Sequence, residues 1–168
     1  PEYAPRCGLE ANISISICEA VDLHETSIQR TAERLRFFLE NLGCAGEIAV
    51  CENLLRYTGE GFLSHLELRE EKASRGDCSW LEDSLVIGRM VAQQGRFTGV
   101  CIFLARMAFE SGLRFLACDD PDAIWNGVGE HPDLIELGFS RQKKRRSLSA
   151  TGGLIWRANP EAIIRRLS

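Results

Sequence analysis

The 168-residue chain lacks several things that would narrow its class at once. No apolar stretch approaches the roughly 20 residues needed to cross a bilayer, so no membrane-spanning helix is expected. The N-terminus carries neither the basic nor the apolar segment of a signal peptide. Positive charge is not in excess: 20 Lys and Arg against 24 Asp and Glu leave a formal charge of −4, which gives no global reason to expect nucleic acid as a partner. Internal repeats and low-complexity tracts are missing. So is any C-x-x-C pair among the seven cysteines, Cys7, Cys18, Cys44, Cys51, Cys78, Cys101 and Cys118. An odd number of thiols, set mostly in apolar segments, fits free cysteines in a reducing compartment and hence a cytoplasmic protein. His24, His65 and His131 make no close ligand pair with structural-zinc spacing, so no metal is expected.

What is present is a 45% hydrophobic chain, enough to build the core of one domain over residues 1–168. Residues 12–18 alternate and place Ile13, Ile15 and Ile17 on one face of a half-buried strand. Thr26 and Gln29 have capping-box spacing, and Ile28, Ala32, Leu35, Leu39 and Leu42 form an apolar helical stripe closed by Gly43. Residues 47–51 and 62–69 read as a hairpin joined by a turn at residues 57–61, whose Thr-Gly-Glu-Gly composition is that of a turn. After a polar loop at residues 72–79, residues 81–91 return to strand character.

Residues 97–110 have helical spacing and stop at Gly112; residues 113–118 make a short buried strand. A second helical region, bent at its glycines and Pro132, is expected from residue 120 to Gly138, and two last strands at 141–149 and 153–157. The expected fold is α/β. It has a mixed, mostly antiparallel central sheet with helices on both faces, in which an antiparallel meander feeds one parallel crossover.

The turn at Arg96, Phe97, Thr98, Gly99, Val100 and Cys101 lies between a strand and a helix, where free backbone N–H groups and the positive end of the helix dipole meet. That arrangement binds phosphate. A glycine at 99 lets the ligand approach the backbone.

With Arg96, Gly99 and Cys101 at these spacings, the segment resembles the pyrophosphate loop of the Gcn5-related N-acetyltransferase family. Residues 87–96 look like that family's strand leading into the loop, and Leu137-Gly138-Phe139 resembles the characteristic end of its later helix. Two positions depart from the pattern: Cys101 stands where Gly or Ala is preferred, and Leu134 where many members carry an acidic tyrosine. The resemblance implies an acyl-CoA N-acyltransferase-like fold. It also implies an acyl group passing from acetyl-CoA or a longer acyl-CoA to an amine of a small molecule or protein. The backbone at Met90 and Val91 would pair with the pantetheine arm, as an added strand does.

Amine attack on a thioester needs a base and an oxyanion donor. Glu82 and Asp83 stand where the family often places a carboxylate base, or are solvated charges at a strand entrance. His65 and Glu67, two apart on one strand face, are a base with its orienting partner or a wet surface. Cys101, in a first helical turn, is a nucleophile or a small buried residue. The basic run Arg141, Lys143, Lys144, Arg145 and Arg146 is a charged strand edge, or docks an acyl carrier protein. In that second form the chain loosely resembles acyl-homoserine-lactone and N-acyl amino acid synthases, through Trp80 with its following acids and Arg89. Beside the enzyme stand two alternatives: a catalytically silent module of the same fold that binds acyl-CoA or a protein, and a cysteine-dependent enzyme built on Cys101 or Cys78.

Overall fold

Alternating apolar residues set the sheet of this protein, and three- and four-residue spacings set its helices. The computed structural model describes residues 12–18, 27–71, 83–93, 95–118, 124–125, 133–143 and 154–167. In chain order the elements are β1 (Ile13–Ile17), α1 (Ser27–Asn41), β2 (Ala45–Cys51), β3 (Leu54–Glu60), β4 (Leu63–Glu71), β5 (Ser84–Ala92), α2 (Phe97–Glu110), β6 (Phe115–Cys118), β7 (Ile124–Trp125), α3 (Leu134–Leu137), β8 (Ser140–Lys143), β9 (Leu154–Ala158) and α4 (Pro160–Leu167).

The strands form one mixed sheet in the order β1-β2-β3-β4-β5-β6-β9-β8, and β7 adds to β5 beyond the end of β6. Antiparallel pairs predominate, but β1–β2, β5–β6 and β5–β7 are parallel. Ile48, Tyr57, Leu66 and Met90 fall in one row across β2 to β5, and all four are fully buried. The neighbouring rows, Thr58–His65–Val91 and Arg56–Glu67–Arg89, point to the other face, as a period of two requires.

Helix α1 buries Ile28, Ala32, Leu35 and Leu39, and α2 buries Val100, Cys101, Leu104, Ala105 and Ala108. The two lie side by side on one face of the sheet: the Phe38 ring stacks on Phe103 at 4.5 Å, and Arg34 pairs with Glu110 at the surface. Helix α4 packs along α2. Helix and strand residues together make one continuous core. Cutting Leu35 or Leu66, both at 0% exposure, to alanine should cost about 2–5 kcal/mol.

Several expectations are corrected. Residues 57–61 are not a turn: Leu54–Glu60 is a full strand between β2 and β4, turning at Glu52–Asn53 (Glu52 φ +57°) and again at Gly61–Phe62. Gly59, one of the two glycines that suggested a turn, serves a close approach of two strands, whereas Gly61 does lie in a turn. A Cβ on Gly59 would come within 2.3 Å of the Tyr57 hydroxyl and the Ala45 carbonyl, and one on Gly46 within 2.3 Å of the Thr58 carbonyl. There are two helix-bearing parallel connections in place of one, because β1 and β2 also run parallel through α1. The described residues of the helical region expected from residue 120 form strand β7 and a four-residue helix, α3, capped by the Asp133 carboxylate. Helix α4 was not expected. The opposite face of β3–β5 carries Arg56, Thr58, His65, Glu67 and Arg89 towards one end of β5 and the fully buried Ser84 and Val86 at the other. No helix among the described residues is long and apolar enough to cross a membrane.

Candidate functional site

Strand β5 delivers the chain to the turn at residues 93–96, which is fastened at both ends. The Gln93 N–H donates to the Phe62 carbonyl at 2.8 Å, and the Arg96 N–H to the Gln93 carbonyl at 3.0 Å. Arg96 is the N-cap of α2 with helical backbone angles and no side-chain cap. The N–H groups of Phe97, Thr98 and Gly99 therefore stand in the first turn without intrahelical acceptors, whereas the Val100 N–H already bonds the Arg96 carbonyl at 3.2 Å. No acidic side chain of that first turn opposes an anion. A Cβ built on Gly99 meets no atom within 4 Å, so that residue leaves room for a ligand or a side chain beside it. The exposed Arg96 holds its guanidinium 5.8 Å from the Phe62 ring at the rim.

Of the six residues expected to cradle phosphate, Arg96, Phe97, Thr98 and Gly99 offer groups to a ligand. The side chains of Val100 and Cys101 are buried at 0% exposure and serve the core. Cys101 is corrected as a nucleophile: burial, with a smaller contribution from Cys118, pushes its thiol up to about 12. The small buried residue is the reading that stands. Cys78 lies outside the described residues.

Of the two carboxylates, Asp83 separates from the turn. Glu82 lies outside the described residues. Asp83 stands at the opposite end of β5 from Arg96, nine strand residues or roughly 30 Å away. There its carbonyl accepts from the N–H groups of Arg114 and Phe115 at 2.7 and 3.2 Å, a task in holding β6.

His65 behaves differently. It pairs with Val91 near the end of β5 that leads to the turn, and Ser64 beside it donates to the Val91 carbonyl at 3.3 Å. On the open face, His65 Nε2 lies 2.6 Å from Glu67 Oε2, and the same oxygen is 3.7 Å from Arg56 Nε. Glu67 is opposite Arg89 in the ladder and covers Gly88. Of the two arginines beside the expected His65–Glu67 pair, Arg56 was not expected there, because it belongs to a strand, β3, most of which reads as a turn. A cleft of about 270 Å³ on this face is lined by Arg56 and Glu67 together with Ala49, Cys51, Leu54, Leu55 and Leu68. A larger cleft of about 370 Å³ lies at the other end of α2, between Phe109, Arg114 and Glu161, away from both the turn and His65.

Met90 and Val91 pair in parallel with Ile124 and Trp125 of β7. The edge expected to receive a pantetheine arm is thus already extended by the chain itself. Leu134 is buried in the core, so no acid stands at its position. Of the basic run, Arg141 and Lys143 lie on the edge strand β8, with Arg141 exposed and 5.9 Å from the Trp156 ring; Lys144, Arg145 and Arg146 lie outside the described residues. Neither a family model, nor a curated protein, nor a solved structure matches this chain.

Proposed function

We propose that this protein is an N-acyltransferase that moves an acyl group from the thioester of acetyl-CoA, a longer acyl-CoA or an acyl carrier protein to an amine. One observation supports the reading: β5 leads through a turn without a side-chain cap into α2, whose first-turn N–H groups lack intrahelical acceptors and stand beside the exposed Arg96 and the open Gly99. The fit is good for a pyrophosphate and incomplete for the arm attached to it, since β7 holds the Met90–Val91 edge.

In this reading Arg96 and the amides of Phe97, Thr98 and Gly99 hold the phosphates by charge and helix dipole. The thioester supplies an activated carbonyl and a thiolate leaving group. His65 takes the proton of the attacking amine, and Glu67, 2.6 Å away, fixes the ring's orientation. Arg56 and Arg89 flank that carboxylate and attract a polar acceptor. Asp83 has no part in the chemistry, being at the far end of β5.

A second reading has its own support. The β7-filled edge and the apolar Leu134 both favour a catalytically silent module that binds a CoA-type or protein partner.

Thermal unfolding with acetyl-CoA, a long-chain acyl-CoA and free CoA tests both, because a ligand that binds only the native state raises its stability by about 3 kcal/mol at a hundredfold excess over Kd. No shift with any of the three rejects the CoA-based reading. A shift without thiol release in the presence of an amine panel selects the silent module.

A further inference from the structure

Cys18 and Cys51 end neighbouring parallel strands. Ile17 pairs with Val50, and the Cys18 N–H donates to the Val50 carbonyl at 2.8 Å, which carries the β1–β2 ladder one residue further and sets Cys18 beside Cys51. Residues so paired project to the same side, with Cα atoms about 4.8 Å apart, inside the span of roughly 4.4–6.8 Å that a disulfide bridges. Cys18 acts on the Cys51 thiol through both contact and charge, and both residues are exposed. Cys44, Cys101 and Cys118 are buried in the core, so among the described cysteines only this pair meets both another thiol and the solvent.

We propose that Cys18 and Cys51 are a reversible oxidation site, converted by a soluble low-molecular-weight disulfide into an intramolecular bond that clamps the edge strand β1 to β2. One thiolate attacks a sulfur of the small disulfide and expels one small thiol. The second thiolate then attacks the mixed disulfide, expels the other small thiol and closes the Cys18–Cys51 bond. Two protein thiols are oxidised and one small disulfide is reduced. The Cys51 thiol is raised above its ordinary range, first by its contact with Cys18 and then by desolvation and by the charges of Cys18 and Glu52.

The bond acts on two places. Among the described residues strand β1 has a neighbour on one side only, so the bond ties an edge strand to the sheet. Cys51 also lines the cleft that contains Arg56 and Glu67, so oxidation alters that wall whether or not the acyltransferase reading holds.

The test uses the whole chain, reduced and then incubated with excess oxidised glutathione, alkylated, digested without reductant and mapped by mass spectrometry. The expected product is a Cys18–Cys51 linked peptide, a chain lighter by two hydrogens, and a Tm raised by roughly 5–10 °C that dithiothreitol reverses. C18S and C51S should each lack the linkage and the rise in Tm, leaving a glutathione adduct on the remaining cysteine. Separate adducts on both cysteines of the wild-type chain, no reaction at either, or linkage of one of them to Cys7 or Cys78 would overturn the proposal, and none of these outcomes depends on a variant folding.

Discussion

Met90 of β5 pairs in parallel with Ile124 of β7 at the point where β6, after its last pair between Ile87 and Cys118, has left the sheet edge. A two-residue strand has little support of its own, and it covers the edge that an acyl-thioester arm would need. Replacing Ile124 with proline removes an N–H and disfavours the extended pairing of β7. If arm and strand compete, I124P should bind CoA about 5- to 30-fold more tightly, the effect of freeing one or two net hydrogen bonds. Isothermal titration of both proteins decides this; equal affinities would show that the arm does not run along Met90 and Val91.

Gly99 separates the fold from its ligand. Its Cα faces open space and its backbone is helical, so Gly99→Ala should leave the fold intact and stabilise it by about 0.5–1 kcal/mol through helix propensity. Gly99→Leu should also fold, yet it places a side chain over the three free amides and should weaken CoA binding at least tenfold. Denaturant melts paired with CoA titrations check the two halves, and a Gly99→Leu variant that binds CoA normally would remove the turn from the site.

Much of this arrangement is legible in the sequence. The apolar spacing over residues 97–110 gives α2 its boundaries, and alternation over 12–18 gives β1, because apolar residues recur at the period of each element. Strand β3 was hidden by Gly59. That glycine is selected by the Tyr57 ring folded against its own strand and by the neighbouring Ala45 carbonyl, a tertiary constraint that imitates turn composition. The cost carried into the site, since losing β3 also lost Arg56. Asp83 failed for a different reason: proximity in sequence to the β5 turn becomes separation in space once the intervening residues are extended. Helix α4 was legible and overlooked. Asn159 caps it through the Ala162 N–H at 3.1 Å, with Pro160 at its first position and Arg165 and Arg166 in its last turn.

His65 and Glu67 are the pair on which turnover depends in the proposed reading. His65→Ala should lower amine acylation by about 10²–10⁴-fold while leaving CoA affinity and Tm near wild type, since the ring stands on the open face and not in the core. Glu67→Gln keeps the shape of the side chain and removes the charge that orients the ring, so its loss should be smaller, about tenfold. Steady-state kinetics beside CoA titrations separate the two; full activity in H65A would leave catalysis to another group and favour the silent module.

The core thiol of Cys101 predicts how the protein fails at high pH. Burial raises this group from its ordinary value of 9.0 to about 12, so the folded chain holds a proton that the unfolded chain releases. For such a group the stability is fully present below pH 9 and is lost as pH climbs from 9 towards 12, because the native state binds more protons throughout that window. Tyr57, raised from 10.0 to about 12 mainly by desolvation, adds a loss of the same sign that begins one unit higher. At about pH 10 the Cys101 contribution alone should reach about 1 kcal/mol. Cys101→Ala should therefore flatten the decline between about pH 8.5 and 10.5, in urea melts on the reduced protein, while costing stability at neutral pH through the lost sulfur. An unchanged slope in C101A would place the alkaline sensitivity elsewhere, with Tyr57→Phe as the next variant to examine.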